Sequence, residues 1–173
     1  AYIGLGTTLK FYINEGSTFY DVTPIRVTTS AGDVTFAKVA NGDATITVTD
    51  ASHGASINDF VTFSGSDSLG GNITAAVLDQ EYQVASVTNV FTIEAKDTNG
   101  DEVTAASGDT GDGGSSVVGA YQIGVGLNTY VQGVGWSSST WGDGAFGSSS
   151  ALSASSQLRL YSQDVFGDDL LFN

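Results

Sequence analysis

An all-β fold of antiparallel strands, closed as a small barrel or sandwich, is what this sequence predicts, and three observations carry that reading. Apolar residues recur with a period of two: Ile46 and Val48 alternate with Thr45, Thr47 and Thr49, which buries one face of a strand. No window sets apolar residues at i, i+3, i+4 and i+7, the spacing of an amphipathic helix. Twenty-three glycines against one proline supply turns rather than helix interiors. No helix longer than about two turns is expected.

The elements follow in order. Residues 8–13 read as a strand, with Leu9, Phe11 and Ile13 alternating with Lys10 and Tyr12. Asn14-Glu15-Gly16-Ser17 supplies a turn, and residues 18–22 return antiparallel. Pro24 cannot donate to a ladder, so Thr23-Pro24 marks a strand end or an edge, with residues 25–29 as an extended edge segment. Ala31-Gly32-Asp33 and Asn41-Gly42-Asp43 are turn signals bracketing a strand at 34–39.

The stretch that organises the chain is 43–95. Within it, residues 45–49, 60–64, 82–87 and 90–93 are β-rich, and Thr88-Asn89 suits a two-residue hairpin connection. Four such strands are enough to close a barrel or sandwich. Asn99-Gly100 is a hairpin signal, with 103–106 as its return strand. The Gly/Ser/Asp-rich run 107–116 reads as an exposed, mobile loop, and 117–127 resumes β-character with Tyr121, Ile123 and Val125 on one face. Residues 133–156 form a Gly/Ser track studded by Trp136, Trp141 and Phe146, a long loop held down by aromatic anchors. A strand at 158–161 and a turn at 162–169 precede the apolar Leu170–Phe172. Three regions result: an N-terminal hairpin region at 1–42, a central antiparallel domain at 43–132, and a loop with C-terminal strands at 133–173.

Composition narrows the function classes. Nineteen acidic residues against five basic ones give a net charge of −14, which repels nucleic-acid phosphates and anionic lipid alike. The basic residues Lys10, Arg26, Lys38, Lys96 and Arg159 form no stripe, so no tight DNA binding is expected. Without cysteine there are no disulfides or thiolate metal sites, and no apolar run approaches the roughly 20 residues of a membrane span. The chain opens on AYIGLG without Met and stops in apolar LLFN, the look of a segment from a longer polypeptide.

Candidate chemistry is sparse. Asp97-x-Asn99-x-Asp101 opens like a calcium loop, but Glu102 stands where that loop needs Gly and Gly108 where it needs Glu; a solvated hairpin tip is the plainer account. His53, the lone histidine, sits in DASHGAS between two strands with no nucleophile-elbow pattern nearby, and reads as a turn histidine. Nothing places two carboxylates across a cleft, and the Gly-rich fragments at Gly124 and Gly133 lack a βα context. No catalytic residue, metal or cofactor is expected. Tyr130, Trp136, Trp141 and Phe146 are the candidate site residues, as subunit-interface anchors or as a platform for stacking glycans.

Three stretches together resemble virion structural proteins of short-tailed bacteriophages. They are LGTTLKFYINEGSTFYDVTPIR near the start, ITVTDASHGASINDFVTFSG with EYQVASVTNVFTI in the middle, and LRLYSQDVFGDDLLFN at the end. The family they are most similar to is the tail nozzle, or tail tubular protein B, group, whose members carry β-propeller blades. The resemblance implies that the last stretch starts a blade and that the middle is a β-domain inserted on the propeller. It further implies a virion (tail) location, a homo-oligomeric ring contacting other tail proteins, and a role in the conduit for genome ejection. The alternative is a tail adhesion module that binds a host-surface carbohydrate through the aromatic loop.

Overall fold

Where Thr alternates with Val, Ile or Phe, the chain forms the strands that carry its core. The computed structural model describes residues 2–7, 9–124, 163–166 and 169–172. Contacts divide the chain into two units, Ala1–Asp21 with Val125–Asn173, and Val22–Gly124.

The first unit contains a three-stranded antiparallel sheet of β1 (Tyr2–Gly6), β2 (Phe11–Glu15) and β3 (Thr18–Asp21), in that spatial order. Pairing of Glu15 with Thr18 leaves Gly16-Ser17 as the turn, and Gly16 supplies the positive φ of 65° that such a turn demands. The expected strand at 8–13 therefore begins later and runs on through Glu15. Thr7 interrupts it: its Oγ1 accepts the Lys10 N–H at 2.8 Å and turns the chain out of β1. The strand at 2–6, which the apolar pattern does not mark, pairs with β2 along its whole length. A hairpin of β12 (Gln163–Phe166) and β13 (Asp169–Phe172) replaces the expected turn at 162–169, because Asp164 and Val165 pair with Leu171 and Leu170. The expected strand at 158–161 and the aromatic track at 133–156 lie outside the described residues, as do 125–127.

The second unit is a sandwich of two four-stranded antiparallel sheets. One has β5 (Thr35–Lys38), β6 (Thr45–Thr49), β10 (Phe91–Glu94) and β9 (Ser86–Val87) in that order. The other has β4 (Ile25–Thr28), β11 (Val118–Gln122), β7 (Phe60–Ser64) and β8 (Glu81–Gln83). Inward positions alternate along β5, β6, β7, β10 and β11: Phe36, Ile46 and Val48, Val61 and Phe63, Phe91 and Ile93, and Tyr121 are all buried. Phe63 joins the sheets, edge-on to Phe36 with ring centroids 5.0 Å apart and stacked on Phe91 at 6.4 Å. β4 and β5, grouped by sequence with the N-terminal hairpin region, thus belong to the same sandwich as residues 43–124.

Two expected strands change form. The run 82–87 is broken at Val84-Ala85, where the N–H of Val84 donates to Asp59 and that of Ala85 to Thr92, so the chain crosses from one sheet to the other. The β9–β10 hairpin is present, but pairing of Val87 with Phe91 gives it a three-residue connection. Residues 103–106 make no strand. They are held instead by single backbone bonds, Val103 N–H to Ala95 and Ala105 N–H to Asp43, beside an isolated Lys96–Glu102 bridge. The one helix among the described residues, α1 (Ala75–Leu78), is a single turn that buries Val77 and Leu78. Its carbonyls are capped from outside: Gln80 Nε2 donates to Ala76 and Val77, and the Tyr82 hydroxyl donates to Val77.

The incoming and outgoing strands of the sandwich lie side by side. β4 pairs antiparallel with β11, and the Ile123 N–H donates to the Pro24 carbonyl at 2.9 Å. Pro24 stands just ahead of β4, at the sheet edge, where a missing N–H costs nothing.

Candidate functional site

The aromatic residues singled out by sequence, Tyr130, Trp136, Trp141 and Phe146, lie outside the described residues. His53, the other singled-out side chain, sits in a polar cluster at one end of the sandwich. The turn after β6 builds it. Asp50 Oδ1 accepts the Ser52 N–H at 3.0 Å, His53 Nδ1 accepts the Ala55 N–H at 2.9 Å, and Gly54 adopts φ 52°. A register shift between Tyr121, paired with Val27, and Gln122, paired with Ile25, leaves Arg26 as the extra residue of β4, and such a bulge re-aims a side chain. The Arg26 guanidinium lies 5.8 Å from the Tyr121 ring centroid, and its Nη2 donates to the His53 carbonyl at 2.8 Å. The Tyr121 hydroxyl donates to Asp50 Oδ2 at 2.9 Å.

This cluster fastens a loop to the sheet. Burial pushes the Tyr121 phenol well above its ordinary range, the Asp50 hydrogen bond and charge push it further, and the Arg26 charge opposes them. The phenol is therefore held protonated. Asp50 spends one oxygen on Ser52 and the other on Tyr121, and His53 Nδ1 is taken by a backbone N–H, so no Asp-His relay is assembled here. The His53 ring packs on Phe91, with centroids 5.3 Å apart.

A second carboxylate, Asp109, went unrecognised in the sequence. The run 107–116, expected to be an exposed loop, is exposed at most of its positions and without regular structure, but it holds this side chain at 1% exposure. Its Oδ1 accepts the N–H groups of Gly71 and Ile73 at 2.8 and 3.0 Å, and its Oδ2 those of Asn72 and Ala106 at 3.0 and 2.7 Å. Burial raises the carboxyl pKa, but the four backbone donors outweigh it and hold the group below the usual carboxylate range. The reason for this buried position is long-range: the carboxylate closes the loop on a distant segment. No signal local to 107–116 announces that partner.

At the calcium-like stretch, Asp97 Oδ1 accepts the N–H groups of Asn99 and Asp101 at 2.8 and 2.9 Å. The Asp101 and Asn99 backbone bonds hold its carboxyl below the ordinary range. This carboxylate caps its own turn. Among the described residues, no group of three or more His, Asp or Glu side chains is placed to hold a metal ion.

The described cations are committed to the fold. Lys10 Nζ bonds Asp21 Oδ2 at 2.6 Å, Lys38 Nζ bonds the carbonyls of Ala106 and Ser107 at 2.6 and 3.1 Å, and Lys96 Nζ lies 5.3 Å from the Tyr82 ring centroid. With Arg26 on Tyr121, each of these four has a partner within its own unit. In the first unit, by contrast, register and alternation put Ile3, Leu5, Tyr12 and Phe19 on one face of the three-stranded sheet, and Ile3 and Phe19 are each 60% exposed. No helix among the described residues is long and apolar enough to cross a membrane. Comparison with protein-family models, with curated proteins and with solved structures gives no match.

Proposed function

We propose that this chain is a structural component of a bacteriophage virion, a segment of a tail nozzle or tail tubular protein that assembles as a homo-oligomeric ring with other tail proteins. The observation that carries this reading is the order of the units. One unit is built from both ends of the chain, and a complete sandwich stands between them with its incoming and outgoing strands paired. That is the arrangement expected of a β-domain inserted into a larger β-structure, which the sequence resemblance implies. The exposed apolar side chains Ile3, Leu5 and Phe19 on one face of β1–β3 are surface that assembly would cover.

Charge supports the conduit role. A duplex carries about one negative charge per 1.7 Å of axis, and a ring of subunits each at −14 would let it pass without holding it. Electron microscopy of purified particles, labelled with antibody against residues 22–124, tests the assignment: label at the tail is expected, and particles that lack the chain or carry it elsewhere overturn it. Filter binding with duplex DNA at about 50 mM salt, where electrostatic binding is strong, is expected to retain none. Micromolar, salt-sensitive binding would overturn the conduit role.

A further inference from the structure

The tripeptide Asn-Gly-Asp occurs twice, at 41–43 and at 99–101. Asparagine before glycine invites intramolecular attack, because a residue without Cβ lets its amide nitrogen reach the preceding side chain. The chemistry encoded locally is the same at both places. The surroundings are not.

At the first copy, the Gly42 N–H donates to the Ala105 carbonyl at 2.7 Å, and the Asp43 carbonyl accepts the Ala105 N–H at 2.8 Å. These two bonds fasten the turn to a distant stretch of chain. Asp43 Oδ1 also accepts the Thr45 N–H at 2.9 Å, at the start of β6. At the second copy, the Gly100 N–H donates only to the Asp97 carbonyl at 3.0 Å, inside the turn itself. Asn and Gly are exposed at both copies, so the bonding of the turn is what separates them. Opening the first turn breaks long-range bonds; opening the second breaks only local ones.

We propose that Asn99 is a site of spontaneous deamidation and isoaspartyl formation, from which the fold protects Asn41. The Gly100 amide nitrogen attacks Asn99 Cγ, forming a C–N bond that closes a succinimide. The Cγ–Nδ2 bond breaks and the side-chain nitrogen leaves as ammonia, taking up the proton that the Gly100 nitrogen loses. Water then opens the ring at either carbonyl, leaving an aspartyl or an isoaspartyl residue at position 99. Ammonia is lost, water is gained, and nothing is oxidised.

The product alters the turn. An isoaspartyl link inserts one methylene into the backbone between residues 99 and 100, which displaces the Asp101 N–H group from Asp97 Oδ1. It also sets a new carboxylate among Asp97, Asp101 and Glu102. The altered turn belongs to the substrate class of isoaspartyl-directed methyltransferases, which esterify the misplaced α-carboxylate.

Incubation of the chain in mildly alkaline buffer, followed by peptide mass spectrometry and an isoaspartyl methyl-transfer assay, tests the proposal. The peptide containing position 99 is expected to convert at least about tenfold faster than that containing position 41, the scale set by breaking a long-range backbone bond. In concentrated urea the two are expected to convert at equal rates. Asn99→Gln should remove the fast phase and leave the slow one. Equal rates in the folded chain, faster conversion at position 41, or an unmodified position 99 would each overturn it.

Discussion

Asp109 sets the residue-scale energetics, because a nearly inaccessible carboxylate with four backbone donors can be neither moved nor neutralised cheaply. Asp109→Asn replaces one acceptor oxygen by an NH2 group and leaves two N–H donors facing another donor. A loss of about 3 kcal/mol in urea denaturation is expected. Since the folded-state pKa is lowered, the stabilisation is whole above the unfolded value of about 3.9 and is lost as pH falls through the folded value. Acid unfolding should therefore begin below the ordinary aspartate range, and Asp109→Asn should weaken that dependence. Tyr121 works with the opposite sign. Its raised pKa favours the neutral phenol, so its stabilisation is whole below about pH 10 and declines above it. In a spectrophotometric titration, Tyr121 and Tyr82, the latter raised mainly by burial, should resist ionisation after the exposed tyrosines have titrated. An early, complete titration of all tyrosines would contradict the Asp50–Tyr121 geometry.

At the scale of elements, Phe63 joins the sheets through Phe36 and Phe91. Phe63→Ala is expected to cost about 3–5 kcal/mol, measured as a fall in the urea midpoint. Gly113→Ala tests the loop behind it: at φ 91° a Cβ would stand 2.5 Å from Phe36 Cδ2, so a lower melting temperature is expected. The strands that were legible in sequence are those whose buried face is written in period two, Ile46/Val48 and Val61/Phe63 above all. β1 was not legible because Gly4 and Gly6 occupy alternate positions and leave only half a pattern. The break at Val84-Ala85 hides for another reason: Val84 is itself buried, so an apolar run continues while the backbone changes sheets. In the loop 107–116, Gly, Ser and Asp marked exposure rightly at most positions, but not at Asp109, which binds backbone 36–38 residues away in sequence. Of the candidate site, the turn role of His53 was readable from DASHGAS, but the bulge that brings Arg26 over Tyr121 has no local sequence mark.

For the whole molecule, the sandwich carries its own core and its own closure. A fragment of residues 22–124 is expected to give a β-type far-UV spectrum and one cooperative urea transition. A fragment that stayed unfolded would show that the sandwich depends on the chain's two ends. The pairing of β4 with β11 also decides how this part of the chain responds to tension. The Pro24–Ile123 bond is the outermost rung of an antiparallel ladder, and the polypeptide continues outward from both sides of it. A pull on those two extensions loads the rungs one at a time, like a zipper, and never in parallel as in shear. The sandwich should thus yield at low force, beginning at Pro24, and let out its length of chain as a mechanical fuse before the strands beyond it are strained.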